Sequence, residues 1–254
     1  MKALYPRAVA IQSEIAIFKT DKMSTMAKQR KTPEAPPQPD DLTATSKIPG
    51  PAMLDLTNHF LIAMPTMLDP VFGGTVVYLC EHNANGALGV VINRPTDMTM
   101  DVLFERIDLT LEIAPEHTHP AAHSDSKAKF GDLMATRPVM FGGPVQVERG
   151  FVLHSPLKAY SSTLKVTDQI AMTTSKDVLE EVAHGTGPAH VMVSLGCSGW
   201  TAGQLEDEIS RNGWLTVVAD PAIIFDLPIE ERFAAAIKLL GIDPYMLTGE
   251  SGRA

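Results

Sequence analysis

Two cysteines in 254 residues, Cys80 and Cys197, are too few for a disulfide framework, and a chain of this size needs none. Such sparing use points to a reducing compartment, the cytoplasm. Long apolar runs are missing too. None approaches the ~18 residues of a membrane-spanning helix, and the N-terminus lacks the apolar stretch and small-residue cleavage site of a secretory signal. Neither glycine pattern that cradles phosphates, G-x-G-x-x-G or G-x-x-x-x-G-K-[ST], occurs, which argues against a nucleotide enzyme of either common type. Basic charge is short as well: 21 Lys and Arg stand against 30 Asp and Glu, a net charge of −9. Residues 1–50 hold eight of the basic and five of the acidic side chains, so the remainder carries 13 against 25, or −12. Affinity for nucleic acid rests on Lys and Arg neutralising phosphates. The main body has the wrong sign for that, and no basic recognition helix of a helix-turn-helix is visible. Direct nucleic-acid binding and membrane insertion are both disfavoured.

What is present is ordinary for a globular protein, 44% hydrophobic and 20% charged. Residues 1–50 stand apart. Their Pro-rich acidic stretch, Thr32 to Asp41, buries too little apolar surface to offset ordering entropy, so a disordered extension is expected. Residues 51–248 are read as a single domain. Strands are expected over Phe60 to Met64, Gly74 to Cys80, Gly89 to Asn93, Val139 to Phe141, Phe151 to His154, Gln169 to Met172, His190 to Leu195 and Trp214 to Ala219. Asn85-Gly86 suits a type I′ hairpin. Gly142-Gly143-Pro144 reads as a turn between two strands, with glycines that would also allow close approach to a ligand. Helices are expected after Thr99, which can cap; after Thr174 or Ser175, closed by Gly185; over 201–211; and from Asp226 and Pro228 to Gly241. Strands outnumber helices and are joined by short turns. The fold class is therefore α+β with a substantially antiparallel sheet.

These marks include Phe60-Leu61-Ile62-Ala63 with Pro65, Glu81-His82, and Gly89 with Val91-Ile92-Asn93-Arg94-Pro95. Gly142-Gly143-Pro144-Val145 and Val152-Leu153-His154 follow. The last block is Gly199-Trp200, Gly203-Gln204-Leu205-Glu206, Glu208-Ile209, Asn212 and Trp214. In this set of ordered blocks the chain resembles the bacterial YqgE/AlgH family over roughly residues 52–245. The resemblance implies bent sheets forming a pseudo-barrel with several packed helices. It also implies a cytoplasmic protein labelled a transcriptional regulator, with no established catalytic residues. The polar loop at 114–132 and the N-terminal tail depart from the family pattern.

The most site-like stretch is Cys197 to Glu206, read as a strand-to-helix junction. Thr201 and Gln204 fit a capping box. Helix N-terminal amides favour anions and lower a thiol pKa, so Cys197 is a candidate thiolate or part of an anion pocket, with His82 or His154 as the base. The competing structural reading gives capping to Thr201 and Gln204, packing to Trp200 and Leu205, and a buried thiol to Cys197. Asn93 and Arg94 form a second candidate, since Arg94 can bind a carboxylate or phosphate; otherwise they serve backbone groups and a surface acid. The candidate ligand-binding set is thus His82, Asn93, Arg94, Cys197, Trp200 and Gln204. His117, His119, His123 and Asp125 can chelate a metal but sit in an unperiodic loop. Glu206, Asp207 and Glu208 read as a solvated helix face. No catalytic residue, cofactor or resident metal is assigned. The function expected is a binding module that regulates indirectly through a protein or small-molecule partner; the alternative is an enzyme or small-ligand protein with its site at the Cys197–Gln204 junction.

Overall fold

A computed structural model describes residues 55–111 and 134–241. Residues 1–54, which include the expected extension, and the histidines 117, 119 and 123 with Asp125 lie outside the described part.

Ten strands follow in chain order: β1 His59–Ala63, β2 Val76–Asn83, β3 Gly86–Val91, β4 Pro95–Thr99, β5 Pro138–Phe141, β6 Val145–Ser155, β7 Thr163–Lys165, β8 Ala171–Thr173, β9 His190–Thr201 and β10 Trp214–Val218. The helices are α1 Met100–Arg106, α2 Asp177–Ala183, α3 Gln204–Ser210, α4 Pro221–Phe225 and α5 Arg232–Leu239. The strands run in the order β10-β1-β2-β3-β9-β6-β8-β7, with β4 on β5 and β5 on β9. Every pairing is antiparallel except β5 with β9. The fold is α+β, a bent and mostly antiparallel sheet with packed helices.

The centre of the sheet is β9. Its first half pairs β6 on one edge, from Ser155↔His190 to Gly150↔Leu195, and β5 on the other, Met140↔Ser194. Its second half pairs β3, from Gly89↔Ser198 to Gly86↔Thr201. The bend between the halves is at Gly196, whose φ of +72° only glycine adopts without strain. At that bend the chain from β5 to β6 passes over β9. Gly142-Gly143-Pro144 does join two strands, as expected, and it does so as a crossing over β9. A Cβ on Gly142 would lie 2.1 Å from the Gly196 carbonyl oxygen, and one on Gly143 would lie 2.4 Å from the Cys197 carbonyl carbon. Backbone meets backbone there, and no side chain fits between.

Three apolar clusters fill the fold. One packs α4 and α5, through Ile223, Ile224, Ala236 and Ile237, on a sheet face formed by Phe60, Ile62, Tyr78 and Cys197. The second packs α1 and α2 on Val139, Val152 and Val193. The third lies on the other face of β1, β2 and β3, where Leu61, Val77, Leu79, Trp200, Leu205 and Trp214 meet. Full burial of one such Leu or Ile contributes about 2 kcal/mol.

Several local expectations change. The β2–β3 hairpin exists, but Asn83 faces Gly86, so Ala84 and Asn85 form its turn; neither has positive φ, and the turn is not type I′. Thr99 holds the N-cap position of α1, yet its hydroxyl bonds the Asp101 carboxylate instead of a helix amide. Lys176, not Thr174 or Ser175, precedes α2. Gly185 ends α2 as expected, at φ +66°, with Gly185 N–H donating to Val182 and Thr186 N–H to Glu181, the two bonds of a Schellman ending. Asp226 does not cap the last helix. Asp220 caps α4 instead, accepting from the Ala222 amide with Pro221 in the first turn, and Asp226 closes that helix. No helix among the described residues is long and apolar enough to cross a membrane.

Candidate functional site

Trp200 leaves β9 on the face opposite Cys197, three residues earlier, because side chains alternate along a strand. Strand β9 continues through Cys197, Ser198, Gly199 and Trp200 to Thr201, so the expected junction is displaced. Gly203, with φ +77°, makes the actual turn into α3. The capping box is half formed. Gln204 Oε1 accepts from the Thr201 amide at 3.1 Å, as expected, but the Thr201 hydroxyl donates to the same oxygen and caps nothing.

Cys197 is consequently not at a helix N-terminus. It is 3% exposed within the core under α4 and α5. Burial pushes its thiol up to about 11, against a smaller opposite effect of Arg149. Burial raises Cys80 further still. The thiolate reading is corrected: at neutral pH both groups are protonated and packed. Native protein is expected to react with iodoacetamide at pH 7.5 at least a hundredfold more slowly than protein unfolded in urea; stoichiometric labelling of Cys197 within minutes would contradict the burial argument.

His82 and His154 do not serve as bases for it. His82 Nδ1 accepts from the Leu56 amide at 3.0 Å, which leaves the proton on Nε2, and Nε2 donates to Glu206 Oε1 at 3.1 Å. The residue thus ties the end of β2 to α3, on the Trp200 face, opposite Cys197. His154 lies on β6 opposite Val191, fully buried. Its Nδ1 donates to the Pro156 carbonyl, Nε2 has no hydrogen-bond partner, and burial lowers its pKa.

Asn93 and Arg94 are scaffold. Asn93 accepts from the Val76 amide at 2.8 Å and donates to the Gly74 carbonyl. Arg94 donates to the carbonyls of Pro70, Val71 and Gly73. Its guanidinium is spent on backbone, not held ready for an anion. What both residues secure is the loop 69–75.

That loop forms one wall of a groove of about 420 Å³, and α3 with Trp200 and Trp214 forms the other. The sequence reading reached Trp200 and Gln204 but missed Phe72, Asp69, Glu208 and Trp214. Phe72 stacks on Trp200 at 6.2 Å and meets Trp214 edge-on at 5.5 Å, while the two indoles meet edge-on at 6.1 Å. Glu208 joins them. Its Oε2 accepts from Trp200 Nε1 at 2.9 Å and Trp214 Nε1 at 2.8 Å, and its Oε1 accepts from Gln204 Nε2 at 3.0 Å. Glu206–Glu208 are therefore not one solvated face: Glu206 holds His82, Glu208 holds both indoles, and only Asp207 faces out, paired with Arg211 at 2.9 Å. A signal was available, since a buried indole N–H needs an acceptor and this chain has only two tryptophans.

Two carboxylates, Asp69 and Glu208, and one cation, Arg211, line the groove. Asp69 Oδ1 accepts from the Val71 and Phe72 amides, and Glu208 accepts from neutral donors alone; neither has a cationic partner among the described residues. Arg211 lines the groove but is engaged by Asp207. Among the described residues no group of three or more His, Cys, Asp or Glu is placed to hold a metal ion.

Comparison with known proteins agrees with the blocks read in the sequence. The AlgH-like family profile matches residues 60–245. A UPF0301 protein of Cupriavidus pinatubonensis is 61% identical over 203 residues, covering 80% of this chain and 97% of that one. A UPF0301 protein of Ralstonia nicotianae is 59% identical over the same length and coverage. Among solved structures, the AlgH protein from Pseudomonas aeruginosa is 46% identical with a TM-score of 0.59, covering 81% of this chain and 99% of that one. A Corynebacterium diphtheriae protein of 16% identity, with a TM-score of 0.55, shares the fold. This chain belongs to the AlgH-like family.

Proposed function

We propose that the protein is a cytoplasmic, non-enzymatic binding module whose groove between loop 69–75 and α3 takes a lysine or arginine side chain of a protein partner. Any effect on transcription is then indirect, through that partner. The observation behind this reading is the pair of carboxylates, Asp69 and Glu208, that line the groove with no ion-pair partner among the described residues, the lining cation Arg211 being held by Asp207. Phe72, partly exposed at the groove, offers aromatic surface to the same guest, and a cation over such a ring gains roughly 0.5–2 kcal/mol. Val145, 40% exposed on the groove wall, and Val147, 39% exposed two residues on, supply apolar contact for the flanking residues of a peptide. The net charge of −12 outside the tail favours encounter with a basic partner. The enzyme alternative with Cys197 as nucleophile and His82 as base is disfavoured, since the two point to opposite faces.

The test uses the protein's own tryptophans. Both lie in this groove, so emission excited selectively from tryptophan reports on its surroundings. Titration with a short peptide alternating lysine and leucine is expected to change emission saturably. Binding should weaken at 0.5 M salt and at least fivefold in Asp69→Asn, which keeps the acceptor for the loop amides. An equal response to a matched peptide alternating glutamate and leucine, or none to the lysine peptide, sinks the reading.

A further inference from the structure

A second cavity, of about 340 Å³, shares no residue with the groove. It opens between β5, β9 and the segment joining α4 to α5. That size falls within the roughly 300–1,000 Å³ of small-molecule sites. Its lining is largely apolar, with Met140, Met192, Ile224 and Leu227, and its charged members are two arginines and Asp226. Arg232 is 7% exposed. Its Nε donates to the Leu227 carbonyl at 3.2 Å; its Nη1 donates to the Ile92 carbonyl at 2.6 Å and meets Met192 Sδ at 3.6 Å. Arg137, half-buried, makes among the described residues only a long 3.5 Å bond to the Val191 carbonyl.

Neither arginine forms an ion pair with a carboxylate among the described residues. The described acids nearby are Asp226, at the lining with one oxygen 3.4 Å from His190 Nδ1, and Glu230, close enough to favour the Arg232 charge. Burial, and then repulsion from Arg137, push the Arg232 guanidinium down to about 10, so it stays charged at neutral pH. A buried cation is costly unless paired, and two side by side more so. Carbonyl oxygens satisfy some of their hydrogens but supply no net negative charge.

We infer that this cavity binds a small organic anion, a carboxylate held between Arg137 and Arg232 with its apolar body among Met140, Met192, Ile224 and Leu227. The planar Arg137 fork can hold a carboxylate in two parallel bonds, while Arg232, with Nε and Nη1 already on carbonyls, adds its charge and Nη2. The methionines, unbranched and adaptable, suit an aliphatic body of variable shape.

Calorimetric titration of the full chain with sodium octanoate tests this, with 1-octanol and inorganic phosphate as comparators. Saturable one-to-one binding of octanoate is expected, with octanol and phosphate each at least tenfold weaker. Arg137→Gln should lose at least tenfold in octanoate affinity while keeping the wild-type circular dichroism. A readout free of substitution is phenylglyoxal modification of the wild-type chain followed by mass spectrometry: octanoate should protect Arg137 at least fivefold, and octanol should not. No saturable octanoate binding, unchanged affinity in Arg137→Gln, equal binding of phosphate or octanol, or no protection overturns the inference.

Discussion

Gly143→Ala is expected to destabilise the protein by about 4 kcal/mol, the sum of an overpacking term and a backbone-strain term of roughly 1–3 kcal/mol each. The added Cβ would stand 2.4 Å from the carbonyl carbon and oxygen of Cys197, at a φ of +146° that L residues rarely adopt. The obstacle is backbone on both sides, so no rotamer change relieves it. Gly196→Ala should behave alike, because its Cβ would meet the Gly143 carbonyl oxygen at 2.4 Å at φ +72°. Gly199→Ala is the control. Its nearest neighbour would be Val145 Cγ2 at 3.8 Å, an ordinary contact, and a change within about 0.5 kcal/mol is expected. Urea unfolding followed by circular dichroism gives all three. A Gly143→Ala protein within 1 kcal/mol of wild type would mean that the two backbones do not cross as closely as described.

The second large effect concerns three adjacent acids that the sequence presents as equivalent. Glu208→Ala leaves two buried indole N–H groups and the Gln204 amide without their acceptor. An orphaned buried donor costs about 1–3 kcal/mol, and because these three share one acceptor and relax together, a total of about 3 kcal/mol is expected. Glu206→Ala removes one bond to His82 from a carboxylate that is 40% exposed, and about 1 kcal/mol is expected. Asp207→Ala loses an exposed pair with Arg211, worth about 0.5 kcal/mol or less. The order Glu208, Glu206, Asp207 is the test, read from urea midpoints; equal losses at 207 and 208 would refute the indole bridge.

The contrast among those acids shows where local reading stops. Which face of α3 meets Trp214 depends on β10 pairing with β1, from His59↔Val218 to Ala63↔Trp214, far away along the chain. Short-range patterns did locate β1, β2, β3, β5 and β10, because each is an apolar run bounded by Gly, Pro or Asn, and β8 from its short apolar run Ile170-Ala171-Met172. They also placed the ending of α2 at Gly185, since a left-handed closing residue leaves a glycine in the sequence. The extension of β9 through Cys197–Thr201 was hidden: Gly-Cys-Ser-Gly has the composition of a turn, and only pairing with β3 keeps it straight. Helix α4 carried its signals, Asp220 and Pro221, but Asp226 and Pro228 repeat the theme six to seven residues later and claimed the start. Of the candidate site, Trp200 and Gln204 were legible by type and spacing. Phe72 and Asp69 were not, because they reach the groove from a loop whose position is set by Arg94.

One strand also shapes how this chain must fold. β9 supplies a partner to β3, β5 and β6, and its bonds to β3 join residues more than a hundred apart in sequence. Closing loops of that length carries its entropy loss before any contact rewards it, so the protein belongs with the slow folders of high contact order. Neither half of the sheet has its full set of strands until β9 arrives. In a chain made from its N-terminus, β1 to β8 wait with open edges, and β9 with its glycine bend is the piece that turns two incomplete sheets into one cooperative unit.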